Sequence, residues 1–187
     1  MTTIKARYMR AVLVAIVGSV LLLARVRSQA RAGSITVIEG TGNFSSVVLR
    51  TTQTLNPPCV SLVTRTGNIA FTGFITNALQ DGDFVSHNLR DACATPVQGT
   101  SRQTYDLLNA TVAGNTGDLV VEVEGIFEGD ATAPPGARTR YHLKIRGVGG
   151  DFKGAEGEGQ SVGLATAFPS LPADSSDTYY VKIWFKK

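Results

Sequence analysis

The sequence predicts an all-β fold, an antiparallel sandwich or barrel, for the chain beyond Gly33. Three observations lead there. Past that point no long apolar stripe recurs at helical spacing, and no heptads occur. Short runs rich in β-branched and aromatic residues follow one another instead, and Gly, Asn, Asp or Pro breaks each of them. This is how a chain reads when strands repeatedly turn back on themselves.

The N-terminal segment differs in composition. Lys5, Arg7 and Arg10 precede a 14-residue apolar run from Ala11 to Ala24. Cations followed by a short apolar run is the order of a secretory signal peptide, and the run is shorter than the roughly 20 residues that a helix needs to cross a bilayer. Ala30 and Ala32 fit an A-x-A cleavage site, with Arg25, Arg27 and Arg31 unusually close to it. The expected organisation is a leader over 1–32 and one β-domain over 33–187, secreted or periplasmic, with no membrane span after cleavage. Residues 1–32 hold six of the 18 Lys and Arg and none of the 15 Asp and Glu, so the charge beyond them is 12 − 15 = −3. A basic whole-chain balance that comes from the leader does not argue for nucleic-acid binding, and none is expected. Cys59 and Cys93 remain. In an oxidising compartment they are candidates for one disulfide; the alternative is two small buried thiols.

Ten runs read as strands, near 34–39, 43–50, 60–65, 67–77, 83–89, 102–112, 118–127, 138–146, 156–164 and 178–185. "LNPPC" from Leu55 and "DACATPVQG" from Asp91 read as loops, and "AFPSLPADSSD" from Ala167 to Asp177 as a longer polar connection. The seventh and eighth runs, "GDLVVEVEGIF" and "ARTRYHLKIRG", form the clearest pair. In a hairpin centred near Thr132, Leu119, Val121 and Val123 oppose Ile145, Leu143 and Tyr141 on one apolar face. Asp118, Glu122 and Glu124 then oppose Arg146, His142 and Arg140 on the other, a charge ladder that accounts for His142 and Glu124 without catalysis, although Glu122–His142 is also an acid/base pair by type. In the last run Tyr179, Val181, Ile183 and Phe185 share a face, and Tyr180, Lys182 and Trp184 the other, as in a barrel-closing strand. Lys182, Lys186 and Lys187 are the kind of charges that discourage edge pairing.

The segments "VAGNTGDLVVEVEGIFEG", "RTRYHLKIRGVGGDFKGAEGEG" and, upstream, "AFTGFI" from Ala70 to Ile75 resemble a family of small bacterial barrels similar to allene oxide cyclase. The resemblance covers about a third of the chain beyond the leader, and its motifs are structural. It implies an eight-stranded antiparallel barrel, a homodimer or homotrimer, and a cavity at one mouth for a small hydrophobic or aromatic ligand. It also implies that Glu158, matching the glutamate of a Gly-Glu-Gly segment, lies on a strand near that cavity. Phe74 stands where many relatives place an acid, and His142 replaces their usual tryptophan. Barrels of this kind include cyclases and dirigent proteins, for which a shaped cavity and one or two placed acids suffice.

Other chemistries fit poorly. "RGVGGDFKGAEGEGQ" lacks the Lys-[ST] ending of a P-loop, and Asp151, Glu156 and Glu158 lack the spacing of a calcium loop. No G-x-S-x-G occurs, and two histidines, His87 and His142, make no His-rich metal centre. No metal and no cofactor are therefore expected. The candidate catalytic residues are Glu158 and His87, the latter also readable as a surface residue, and the candidate ligand-lining residues are Phe74, Tyr105 and Tyr141. The expected function is that of an exported barrel binding a small apolar or aromatic molecule, either as a cofactor-free isomerase or cyclase or as a non-catalytic binding or structural protein.

Overall fold

The computed structural model describes residues 36–55, 57–130, 135–165 and 175–185. The proposed leader lies outside them, and no helix among the described residues is long and apolar enough to cross a membrane. The described chain forms nine strands: β1 (Thr36–Thr54), β2 (Val60–Gly73), β3 (Ile75–Thr76), β4 (Gly82–Asp91), β5 (Gln98–Val112), β6 (Asn115–Glu128), β7 (Ala137–Gly147), β8 (Glu156–Ala165) and β9 (Ser175–Phe185). All pairings are antiparallel, and they run β5-β4-β2-β1-β9-β8-β7-β6 and back to β5. Eight long strands thus close a ring, and the two-residue β3 adds to β5 alone. A closed ring has no free edge. β9 pairs on both sides, and Lys182 spends its charge on Glu39 at 3.5 Å rather than guarding an edge.

Strict alternation sorts the side chains. Along β4, Phe84, Ser86 and Asn88 are buried while Val85, His87 and Leu89 are exposed; along β9, Tyr179, Val181 and Ile183 are buried while Tyr180 and Lys182 are exposed. Two of the ten expected boundaries disappear. The runs at 34–39 and 43–50 are one strand, as are 60–65 and most of 67–77. Gly40 and Gly42 do not break β1: a Cβ on Gly40 would collide with the Phe74 ring, and one on Gly42 with the Thr72 carbonyl and the Tyr179 hydroxyl. They are glycines because other groups pack directly on the backbone there.

The β6–β7 register is shifted by two residues from expectation. Val121 opposes Ile145 and Val123 opposes Leu143, so the inner face is as expected. The outer ladder re-pairs: Glu122 opposes Lys144, Glu124 opposes His142, and Arg146 reaches diagonally to Glu122 at 2.6 Å. The hairpin connection is centred one residue later than Thr132, and moving the turn by one moves every pair by two.

The ring has two unlike ends. At one lie the β2–β4, β5–β6 and β7–β8 connections. The short helical turn Gly150–Phe152 drives Phe152 into the interior there, fully buried and 6.2 Å from the Phe185 ring. Ile38, Ile75, Val112, Leu119, Ile145, Ala155 and Ile183 complete an apolar plug. Above it sits an aromatic waist in which Phe44, Phe71, Tyr105 and Tyr179 pack at centroid distances of 5.1–6.5 Å. The other end carries the β1–β2, β4–β5, β6–β7 and β8–β9 connections. Cys59 and Cys93 are disulfide-bonded there, Cα atoms 5.4 Å apart, and tie the first of these connections to the second.

Candidate functional site

Toward that second end the inward positions change character. Ser46, Ser61, Ser86, Asn88, Ser101, Gln103, Thr139, Ser161 and Asp177 are all buried. Alternation puts them inside because each is in phase with an apolar core residue of its own strand, as Asp177 is with Tyr179 and Gln103 with Tyr105. Four of them find partners along their own strand. On β5 the Tyr105 hydroxyl donates to Gln103 Oε1 at 2.8 Å and Gln103 Nε2 to Ser101 Oγ at 2.9 Å. On β4 Asn88 Nδ2 donates to Ser86 Oγ at 3.1 Å and to the Val63 carbonyl of β2 at 3.2 Å.

Asp177 is bonded to another strand, and incompletely. Thr139 Oγ1 donates to its Oδ1 at 3.0 Å, but Oδ2 is buried with no hydrogen-bond partner, and so is the hydroxyl of Ser161. Ser161 lies close enough to favour the ionised carboxylate without reaching it at hydrogen-bond length. Burial dominates and raises the Asp177 pKa to about 6, against the pull of Thr139, the Arg65 charge and Ser161. Arg65 is in phase with Val63 and Ile69 of β2 and therefore faces inward, half-buried. Its charge is felt by Asp177, Tyr105 and Tyr141, yet it makes no hydrogen bond or ion pair among the described residues. Tyr141 is buried across the interior, its hydroxyl pushed up to about 12 by burial and by the Asp177 charge, against the opposite pull of Arg65 and of the nearby Ser101 and Gln103. The inner face of β8 carries no large side chain: Gly157, Gly159, Ser161, Gly163 and Ala165 stand beside Asp177 and Tyr179.

Asp177 makes stability depend on pH in a calculable direction. Its carboxyl ionises near 6 in the folded chain and near the ordinary 3.8 when unfolded, so the folded state binds the proton more tightly. Its contribution is most favourable below the lower value and is lost as pH rises through the upper one, by on the order of 2–3 kcal/mol. Asp177→Asn, which keeps an acceptor for Thr139, is expected to be more stable than wild type at pH 8 and nearly equal at pH 4. Urea unfolding at the two pH values measures both, and equal stability at pH 8 would remove the buried-carboxyl assignment.

The residues expected from sequence fall differently. Tyr105 and Tyr141 are inside, at the boundary between waist and polar end. Phe74 is half-buried and lies over Gly40 near the plugged end, packed on the core. Glu158 and His87 are both exposed on the outer face, and β8 and β4 are four steps apart around a ring of eight, on opposite sides. They form no joint site. Glu158 points outward because Gly157 and Gly159 take the inward positions, and its register partners are Lys144 and Lys182. Glu156 is on the same outer face and accepts from Trp184 Nε1 at 3.3 Å. His87 sits beside Thr64 Oγ1 at 3.3 Å, in an outer groove of about 220 Å3 shared with Arg102, Glu122 and Glu124. Asp151 serves the turn by accepting from the Thr116 amide at 3.0 Å, at the edge of a cleft of about 450 Å3 near the plug.

Asp177 and Arg65 are the residues that sequence reading passes over. The signal for each is phase. Asp177 continues the alternation of Tyr179, Val181 and Ile183 by one more step, and Arg65 continues Ile69 and Phe71 back to Val63 once β2 is read as one strand. No family model matches the chain, and no curated protein matches it.

Proposed function

We propose that the chain is an exported small-molecule-binding barrel of the allene oxide cyclase type, whose polar interior end receives one end of an apolar or aromatic ligand. The observation that carries this reading is the pair of buried, unpartnered polar atoms, Asp177 Oδ2 and Ser161 Oγ, beside Arg65, which has no hydrogen-bond or ion-pair partner among the described residues. Buried hydrogen-bonding capacity left empty costs about 1–3 kcal/mol per group. A fold retains such a cost where a ligand's own polar groups complete the bonds. The inner face of β8 supports the same reading, since at Ser161 and Gly163 it sets no large side chain against those atoms. Export is supported by the leader-like N-terminus and by the disulfide.

A second reading, a cofactor-free isomerase or cyclase, is favoured by one observation. Asp177 ionises near 6, where a carboxyl serves as either acid or base at neutral pH, with Arg65 and the Tyr141 hydroxyl near enough to steady developing negative charge. In this reading Asp177 takes the part that the resemblance gives to Glu158.

The test is a thermal-shift screen of small aromatic compounds on the full chain. Ser161→Leu, which puts a bulky apolar side chain beside Asp177, is expected to abolish any saturable shift, while Glu158→Gln and His87→Gln keep it. Binding or turnover that survives Ser161→Leu but is lost in Glu158→Gln would move the site to the outer face and end the interior reading.

A further inference from the structure

Arg65 is the least explained side chain of the interior. Two other charged groups that alternation turns inward have hydrogen-bond or ion-pair partners. Arg90, at the rim of the polar end, holds Asp130 at 2.9 Å, and Asp177 has Thr139. Arg65 has none, although it is half-buried and shares the interior with two tyrosines and a carboxyl. A guanidinium carries donors in a planar fork that matches a carboxylate, and withdrawing it from water without such a partner is unfavourable. Asp177 does not supply that partner: its second oxygen is free and no ion pair forms between the two.

From this arrangement we infer that the interior site recognises a small carboxylic acid with a flat apolar body, its carboxylate seated on Arg65 and within reach of Ser161 Oγ and Asp177 Oδ2. The inference rests on the proposed interior binding and specifies its ligand class. The flat body is asked for by the neighbours below. Tyr105 and Tyr141 bound the polar end, Phe44 and Phe71 lie beneath, and β8 contributes glycines rather than side chains. Stacking on aromatic faces while an Arg takes the anionic end uses both halves of the site.

The geometry also fixes the proton balance. An incoming carboxylate meets Asp177 as a second anion, and two carboxyl groups sharing one cation in a dry site retain a proton between them. The groups that face Asp177 are Arg65 from β2, Tyr105 from β5, Tyr141 and Thr139 from β7, and Ser161 from β8. Arg50 occupies the β1 register position opposite Arg65. Neither histidine is among them, as both are exposed on the outer face. Binding therefore takes up one proton at neutral pH, held by Asp177 as a donor to the ligand. A neutral ligand that only donates to Asp177 gives the opposite slope, because it prefers the ionised form.

Calorimetric titration of the full chain, with its disulfide formed, tests this using benzoate, cinnamate and 2-naphthoate, each paired with its primary amide. At least one acid is expected to bind about tenfold or more tightly than its amide. Its affinity is expected to fall about tenfold for each pH unit above 6. Buffers of different ionisation enthalpy should report uptake of one proton. Arg65→Gln should erase the preference for acid over amide, and Asp177→Asn should keep acid binding but flatten its pH dependence, with circular dichroism showing both variants folded. Acids that bind no better than amides, or a preference untouched by Arg65→Gln, overturn the inference. So does the absence of acid binding between pH 5 and 8. In each of these cases, amide binding that Ser161→Leu blocks leaves the interior-binding proposal standing.

Discussion

Truncating Phe71 to alanine is expected to lower folding stability by about 3–5 kcal/mol, a large share of the 5–15 kcal/mol that a domain usually has. The ring is fully buried and lies 5.1 Å from Phe44 of β1, 5.9 Å from Tyr105 of β5 and 5.3 Å from Tyr179 of β9. It therefore joins β2 to its neighbour β1 and to β5 and β9, which neither adjoin β2 in sequence nor pair with it. Tyr105 and Tyr179 are anchored by their hydroxyls and hold their places when the ring is removed, so the void does not close. Urea unfolding should show a lower midpoint with an unchanged slope, and Phe71→Leu should cost less than half as much. A loss below about 1 kcal/mol would mean that the waist is not packed as described.

Breaking the disulfide is the second large effect. Cys59 and Cys93 close a stretch of 34 residues, and the chain entropy released to the unfolded state when that loop opens amounts to about 3–4 kcal/mol. Cys93→Ser is expected to lose this much against the oxidised wild type, and to lose little against the reduced one. The two connections it joins are both at the polar end. Hydrogen exchange should accelerate first in the flanking parts of β1, β2, β4 and β5, and last around Phe152. Uniform acceleration over the whole ring would show that the crosslink acts only on the unfolded chain.

The sequence carried the strands well because their signal is local. A period of two repeats within each run, so the inner faces of β6, β7 and β9 follow from Val121, Leu143 and Val181 without knowledge of any partner strand. Pairing is another matter, since it depends on turn length. The β6–β7 ladder lies two residues from the expected register although the residues of each face are as expected. Gly40 and Gly42 read as breaks because a glycine that ends a strand and a glycine that admits a neighbour look the same in one dimension. The site was harder for a related reason. Asp177 and Arg65 stand at the ends of runs, where polar residues ordinarily mark a loop, and only the continued alternation shows that they turn inward. The glycines beside Glu158 occupy the interior and leave its carboxylate outside.

The unlike ends of the ring divide the molecule's tolerance to change. Substitutions around Phe152, Ile145 and Ile183 act on a close-packed plug, where each is felt as lost stability. Those at Ser101, Gln103, Ser161 or Arg65 exchange one polar side chain for another at the opposite end, where the disulfide ties the β1–β2 connection to the β4–β5 one. One half can therefore drift in ligand preference while the other keeps the fold. A lineage of such chains would be expected to look alike at the plug and to diverge at the polar mouth, and its members would share a shape long after they ceased to share a ligand.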